Sequence, residues 1–292
     1  MEVVVRPLVA VFVVAVALAV GCSEDSPTES ENKPPGDTIR VPADFLTIQA
    51  AIDTASDNQT VLVAAGTYSG PGNRDLNFNG KAITLKSESG PSTTIIDCQD
   101  TGAVVHQGFY FSSRETSEST VDGFTIVNGN GPNGAGMGFR SCSPTIRNCV
   151  LAGNEASASG GAIHCKSASP TFVNCTFTGN SSPAGGAVFL IAGASPRFEN
   201  CIISFSSDGE AVYCSYTDNQ PTFICCDIYG NYGGDWIDCI ETLADSNNNF
   251  SEDPLYCDPA QNDYYLQNPS PCAQLNSSCM EQVGALGIGC GQ

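Results

Sequence analysis

"GGAIHCKSASPTFVNCTFTGN", residues 160–180, contains almost nothing that favours a helix. It has paired glycines, β-branched residues, a proline, an Asn-Cys pair and a terminal Gly-Asn. The same text recurs along the chain. "GAGMGFRSCSPTIRNCVLAGN" stands at 134–154, "GGAVFLIAGASPRFENCIIS" begins at Gly185, and "GEAVYCSYTDNQPTFICCDIYGN" begins at Gly209. Pro144, Pro170, Pro196 and Pro221 follow one another at 26, 26 and 25 residues, and Cys149, Cys175, Cys201 and Cys226 take similar steps. A fixed period of this size signals a solenoid. Each repeat is then one unit that buries its apolar face only against its neighbours.

Within one repeat, Phe172 and Asn174 share a face of an extended chain, and Cys175 and Phe177 share another. A bend at Asn174 turns all four inward, because Asn tolerates left-handed backbone angles. Ile146, Phe172, Phe198 and Phe223 then form one inner column. Leu151, Phe177, Ile203 and Ile228 form another. Asn148, Asn174 and Asn200 form a third, expected to hydrogen-bond from coil to coil. Thr176 is expected at the surface. Cys149, Cys175, Cys201 and Cys226 are expected to stack inside as small hydrophobes. A leucine-rich repeat has a similar period, but Leu is scarce and the intervening segments are strand-and-turn chemistry. The pattern predicts an all-β parallel β-helix with coils about 4.8 Å apart.

Two further segments carry a resemblance. "VPADFLTIQAAIDTASDNQTVLVAAGTYSG" (41–70) places Ile48, Ala51, Ile52 and Ala55 at helical spacing. "DPLYCDPAQNDYYLQNPSPC" (253–272) follows the repeats. Together with the repeats they resemble right-handed parallel β-helix proteins of the pectate-lyase-like superfamily. The resemblance implies an N-terminal helix plugging the first coil, a first strand in "VLVAAGTY", and a closing segment at the end. The expected organisation is a signal peptide at 1–21, a lipidated Cys and acidic tether at 22–38, a capped β-helix at 39–245, and a closing segment at 246–292. The fold hosts lyases, hydrolases, esterases, epimerases, adhesins and binding modules, so it does not select a function.

The N-terminus supports export. Arg6 precedes an apolar run from Pro7 to Val20 that is short for a membrane span. "AVGC" at 19–22 resembles the bacterial lipoprotein lipobox, with Ala19 where Leu is usual. That resemblance implies cleavage before Cys22 and lipid on its sulfur, so the membrane is met only through that lipid. The expected location is the bacterial outer membrane or cell surface, or the secreted fraction. The chain has 15 Cys, which fits an oxidising compartment. Cys257, Cys272, Cys279 and Cys290 crowd the tail and are expected in disulfides of unassigned pairing. Acids outnumber bases 31 to 11, for a formal charge of -20. Nucleic acid is therefore excluded as a partner. Acidic polysaccharides are repelled unless a cation such as Ca²⁺ bridges them, so Ca²⁺ is the one cofactor the composition suggests.

The resemblance brings three enzymatic chemistries with it. Glycoside hydrolysis needs two carboxylates about 5–9.5 Å apart. The outward column Asp122, Arg147, Val173, Glu199 and Ile224 puts its two acids three coils apart. The next column, Thr125, Val150, Thr176, Ile202 and Asp227, has one. Pectin methylesterase motifs are absent. "DWIDC" (235–239) resembles a pectate-lyase motif, but Cys239 replaces its His. The remaining constellation is an outward column of Tyr110, Gly138, His164, Phe189 and Tyr213, with Ser112, Arg140, Lys166, Ile191 and Ser215 two residues on. Aromatic faces beside cations suit sugar rings and carboxylates. The expected function is a monomeric scaffold binding carbohydrate through Tyr110, Arg140, His164, Lys166, Phe189 and Tyr213. The alternatives are a Ca²⁺-assisted polysaccharide lyase, with Arg140 or Lys166 as base, or a purely structural envelope protein.

Overall fold

Each coil of the chain spends three short strands on three different sheets. In the coil that holds the quoted segment these are Ile163–Lys166, Thr171–Val173 and Thr176–Thr178. The next coil repeats them at Val188–Ile191, Arg197–Glu199 and Ile202–Ser204. The structure is a computed structural model that describes Met1 and residues 38–99 and 104–290. Cys22 and the rest of the expected signal segment and tether, residues 2–37, lie outside these residues, while Thr38, expected in the tether, begins a strand. Among the described residues the strands stack into parallel sheets of eight, five and seven members, here called the first, second and third. The second sheet contains Ile163–Lys166, the first Thr171–Val173 and the third Thr176–Thr178.

Register follows the repeat. Ile146 pairs with Phe172, Phe172 with Phe198, and Phe198 with Phe223. All four side chains are fully buried. Phe172 stacks on Phe198 at 5.0 Å, and Phe198 on Phe223 at 4.7 Å, with nearly parallel rings. Burying each ring contributes on the order of 2–3 kcal/mol. Leu151, Phe177, Ile203 and Ile228 form the other inner column, also fully buried. Cys149, Cys175, Cys201 and Cys226 stack inside as read from the sequence. Their thiols hydrogen-bond backbone carbonyls, as Cys175 Sγ does to Val173 O at 3.4 Å. Burial pushes the Cys149 thiol up to about 12 and holds Cys201 and Cys226 well above the ordinary range, so they stay protonated.

The asparagine column needs correction. Asn148, Asn174 and Asn200 do adopt left-handed angles, φ 54°, 50° and 52°, and make the bend. Their side chains do not form the expected ladder. Asn148 donates to Asp122 Oδ1, Asn200 donates to Glu281 Oε2, and the buried Asn174 Oδ1 has no partner among the described residues. The amide ladder occupies the next corner, in the repeated Gly-Asn. Asn154 donates its backbone N–H and Nδ2 to Asn180 Oδ1, at 3.1 and 3.0 Å. Asn180 Nδ2 donates to Leu151 O, and Asn231 Oδ1 accepts from Ser206 N. That corner faces inward, where unpaired peptide groups would have no solvent. The bend at Asn174 lies nearer the surface.

Both ends are closed. The helix Ile48–Thr54 buries Ile48, Ala51 and Ile52, and the side chain of Thr47 caps it from Ala50 N. The first strand is not "VLVAAGTY". Thr38–Val41 precedes the helix and pairs with Thr60–Val63. At the far end Trp236 packs edge-on against Phe223 and donates Nε1–H to Phe250 O. The 3₁₀ helix Asp238–Leu243 follows, with Ile240 fully buried, and Cys239 pairs with Cys214. "DWIDC" is thus an end cap.

The tail does not merely close the end. It folds back along the outer face of the third sheet. Its strands Tyr256–Asp258, Asp263–Gln267 and Ile288–Cys290 form a small sheet of their own. It buries Val150, Ala152 and Ile202 beneath Leu266, Val283 and Leu286. Thr176, expected at the surface, is 2% exposed and its Oγ1 accepts from Ala285 N. Disulfides Cys225–Cys279 and Cys257–Cys290 hold the tail. Cys272, expected in a disulfide, is instead a buried free thiol 3.3 Å from Asp227 Oδ2. Its neighbours there are a carboxyl and a hydroxyl, not a second sulfur.

Candidate functional site

The outer face of the second sheet is left open, and its register matches the predicted column. Gly138 pairs with Tyr110 and with His164, His164 with Phe189, and Phe189 with Tyr213. Arg140 pairs with Lys166, and Lys166 with Ile191. Alternation along each short strand sends Met137 and Phe139 into the core and turns Gly138 and Arg140 to the outer face, where Arg140 is exposed and Gly138 is covered by the Tyr110 ring.

The rings behave differently from the expectation. His164 stacks on Phe189 at 5.1 Å and Phe189 on Tyr213 at 5.4 Å. Stacked rings spend their faces on one another, so Phe189, at 8% exposed, offers a ligand little. Gly138 interrupts the column. A Cβ there would stand 2.8 Å from Tyr110 Cδ2, so the glycine lets the tyrosine ring lie over the strand. His164 therefore has one side against Phe189 and the other towards the break.

A cleft of about 450 Å³ opens at that break. It brings together four predicted residues, Tyr110, Arg140, His164 and Lys166, and leaves Phe189 and Tyr213 beyond its edge. Its far wall is the strand Asn130–Asn133. Arg140 and Lys166 are exposed and form no ion pair with a carboxylate among the described residues. Burial lowers the His164 pKa below its ordinary value, and Lys166 adds to this. His164 is thus held as a neutral, apolar-sided ring near pH 7.

Sequence reading missed two members. His106 and Asp75 line the same cleft, with His106 Nδ1 2.7 Å from Asp75 Oδ2. The other Asp75 oxygen accepts from Gln107 N at 2.9 Å. The His106 backbone is clamped to Asn130 by hydrogen bonds in both directions, each 2.8 Å. Both residues also line a second cleft, with Gln49, Asp53, Asn77 and Asn79, that adjoins the first. The available signal was compositional: the chain has only two histidines, and both line this site. Asp122 and Arg147 form the expected ion pair, 3.1 Å apart, on the first sheet and away from the cleft.

Fold and site together define a parallel β-helix whose second sheet carries an open cleft lined by cations and aromatic rings. A family described as right handed beta helix region matches residues 81–253. The chain belongs to this right-handed β-helix family. A search of curated proteins found no match.

Proposed function

We propose that this protein is an exported, lipid-anchored β-helix that binds carbohydrate in the cleft, with preference for acidic sugars. The observation that carries the reading is a pair of cations, Arg140 and Lys166, without an ion-pair partner among the described residues, beside Tyr110 and His164 in a chain of net charge -20. Unpaired cations in an acidic protein favour a ligand that brings its own negative charge. A sugar ring supplies both a carboxylate for the cations and an apolar C–H face for the rings. Repulsion from acids elsewhere on the surface is screened beyond about 8–10 Å at physiological salt. Export is supported by the sequence before Cys22 and by three disulfides in the described residues.

The test is retention of polygalacturonate, alginate and neutral glucans by residues 39–292, with and without Ca²⁺. Arg140→Ala with Lys166→Ala should weaken acidic ligands at least tenfold and leave neutral ones unchanged. Tyr110→Ala should weaken both, by roughly 1 kcal/mol or more. Tyr213→Ala, outside the cleft, should matter only for long chains. Equal retention by all of these variants would leave the cleft without a role. Cys22→Ser should release the full chain from membranes, and unchanged membrane association would refute the anchor.

A further inference from the structure

Among the described residues one disulfide, Cys225–Cys279, ties the tail to the solenoid, and Cys257–Cys290 joins two parts of the tail to each other. Residues 253–278, between the last coil and Cys279, are held down by packing and by polar contacts. Tyr256 Oη lies 2.9 Å from Ser204 Oγ, and Cys272 Sγ lies 3.3 Å from Asp227 Oδ2. Asp227 is the weak point of this interface. Its carboxyl is fully buried and accepts from Glu252 N at 3.0 Å. The other titratable groups that face it are Glu252 and Asp235, both acidic, with Cys272 and Tyr256 from the tail. No Lys or Arg follows Arg197 in the chain, and both histidines precede it. Asp227 forms no ion pair among the described residues. Once ionised it would be a buried charge without a counter-ion, which its surroundings strongly disfavour. Burial accordingly raises its carboxyl from 3.8 to about 7. The coil beneath is itself strained. Phe205 takes φ 54° where neighbouring coils place Gly179 and Gly230 at 61° and 69°. Such strain persists only while surrounding packing holds it. Here Tyr256 of the tail is part of that packing, edge-on to Phe205 at 6.1 Å.

We propose that residues 253–278 are a tethered strap that lifts from the third sheet when Asp227 ionises, while the solenoid beneath stays folded. Lifting lets water reach the carboxylate and uncovers Ile202, which the tail otherwise buries. The disulfide at Cys279 keeps the strap beside its seat, so closure is reversible. With the strap down, the carboxyl keeps its proton up to about pH 7; with the strap lifted, it releases it near the ordinary value of 3.8. Closure is therefore strongest below about pH 4 and weakens as pH rises to about 7, by at most about tenfold per pH unit. None of these residues lines the cleft on the second sheet.

Cys272 is the reporter. It is a free, fully buried thiol, and burial holds it well above its ordinary range, so it is unreactive while covered. Cys149, Cys175 and Cys201 are free thiols inside the solenoid and report its unfolding. The full chain, with its disulfides intact, is treated with 4,4′-dithiodipyridine between about pH 4.5 and 8, and each modified cysteine is located by mass spectrometry. Relative to Asp227→Asn at the same pH, Cys272 should react at least about tenfold faster at pH 7.5 than at pH 5. Cys149, Cys175 and Cys201 should stay protected throughout. Amide exchange at Val283, whose N–H donates to Cys272 O, should accelerate over the same range. Return to pH 5 should restore protection. Should Asp227→Asn not fold, the wild-type contrast between Cys272 and the solenoid thiols still decides. Modification of Cys272 together with those thiols would mean global unfolding and overturns the strap. The same pH dependence in wild type and Asp227→Asn overturns the role of Asp227, and a Cys272 protected at every pH overturns both.

Discussion

The outer faces of the second and third sheets are built from the same repeat, yet one is open and the other is covered by the chain's own tail. On the third sheet the outward residues Val150, Thr176, Ile202 and Asp227 are all at most 2% exposed. On the second, Arg140 and Lys166 stay exposed and the neighbouring residues wall a cleft. The difference lies in what each face offers a neighbour. Val150 and Ile202 are apolar and repay burial with roughly 2 kcal/mol apiece. Two adjacent cations would have to be desolvated without partners. The tail therefore settles on the first kind of face, and a ligand of opposite charge is left the second.

The comparison breaks most readily at Ile202. Ile202→Asp should bury an unpaired carboxylate beneath Val283 and Leu266 and destabilise the fold by about 3–5 kcal/mol. Ile191→Asp, on the open face beside Lys166, should change stability by about 0.5 kcal/mol or less and weaken retention of acidic glycans. Urea denaturation measures both. Similar losses would mean that the two faces are not differently covered.

Asp227 sharpens the contrast through pH. It lies under the tail, where burial raises its carboxyl from 3.8 to about 7, against hydrogen bonds from Glu252 N and Cys272. Glu252 and Asp235 push it further in the same direction, and Tyr256 stands nearby. The folded state holds a proton that the unfolded state has released, so stability is full below about pH 4 and falls as pH rises through about 7. The difference corresponds to about 4 kcal/mol at most. Asp227→Asn should flatten this part of the stability–pH curve. An unchanged slope would place the ionisable group elsewhere.

A smaller effect concerns the corners that flank the third sheet. Asn180→Ala, at the corner leading towards the open face, leaves Asn154 N without its acceptor and should cost about 1–3 kcal/mol. Asn174→Gly, at the corner before the covered face, keeps the left-handed angle and removes an oxygen that has no partner among the described residues. It should change stability by about 0.5 kcal/mol or less. Equal melting shifts would contradict the placement of the ladder.

Much of the interior was legible before any coordinates. The columns headed by Ile146 and Leu151 and the outward ring column all keep the repeat, so a residue's partner is found one period away. The Asn ladder was misplaced because two Asn columns share that period, and sequence spacing does not say which corner faces inward. The repeated Gly-Asn was visible, with Ser206 interrupting it. Apolar Val150 and Ile202 in an outward column were a sign of cover that alternation alone did not interpret.

The amino-acid sequence by itself determined the solenoid, its register, the helix that plugs its start, and the meeting of Tyr110, Gly138, His164, Arg140 and Lys166 on one face. The helix follows from one stretch of helical spacing at Ile48, Ala51, Ile52 and Ala55, and the rest from a short-range pattern repeated about every 26 residues, where stacking acts on nearest neighbours. The tertiary structure decided the rest. Asp75 meets His106 across 31 residues, Ser204 meets Tyr256 across 52, and Asn200 meets Glu281 across 81. These contacts join coils to loops and to a tail that the repeat does not include. Which of these groups meet depends on how loops and tail lie on the assembled solenoid.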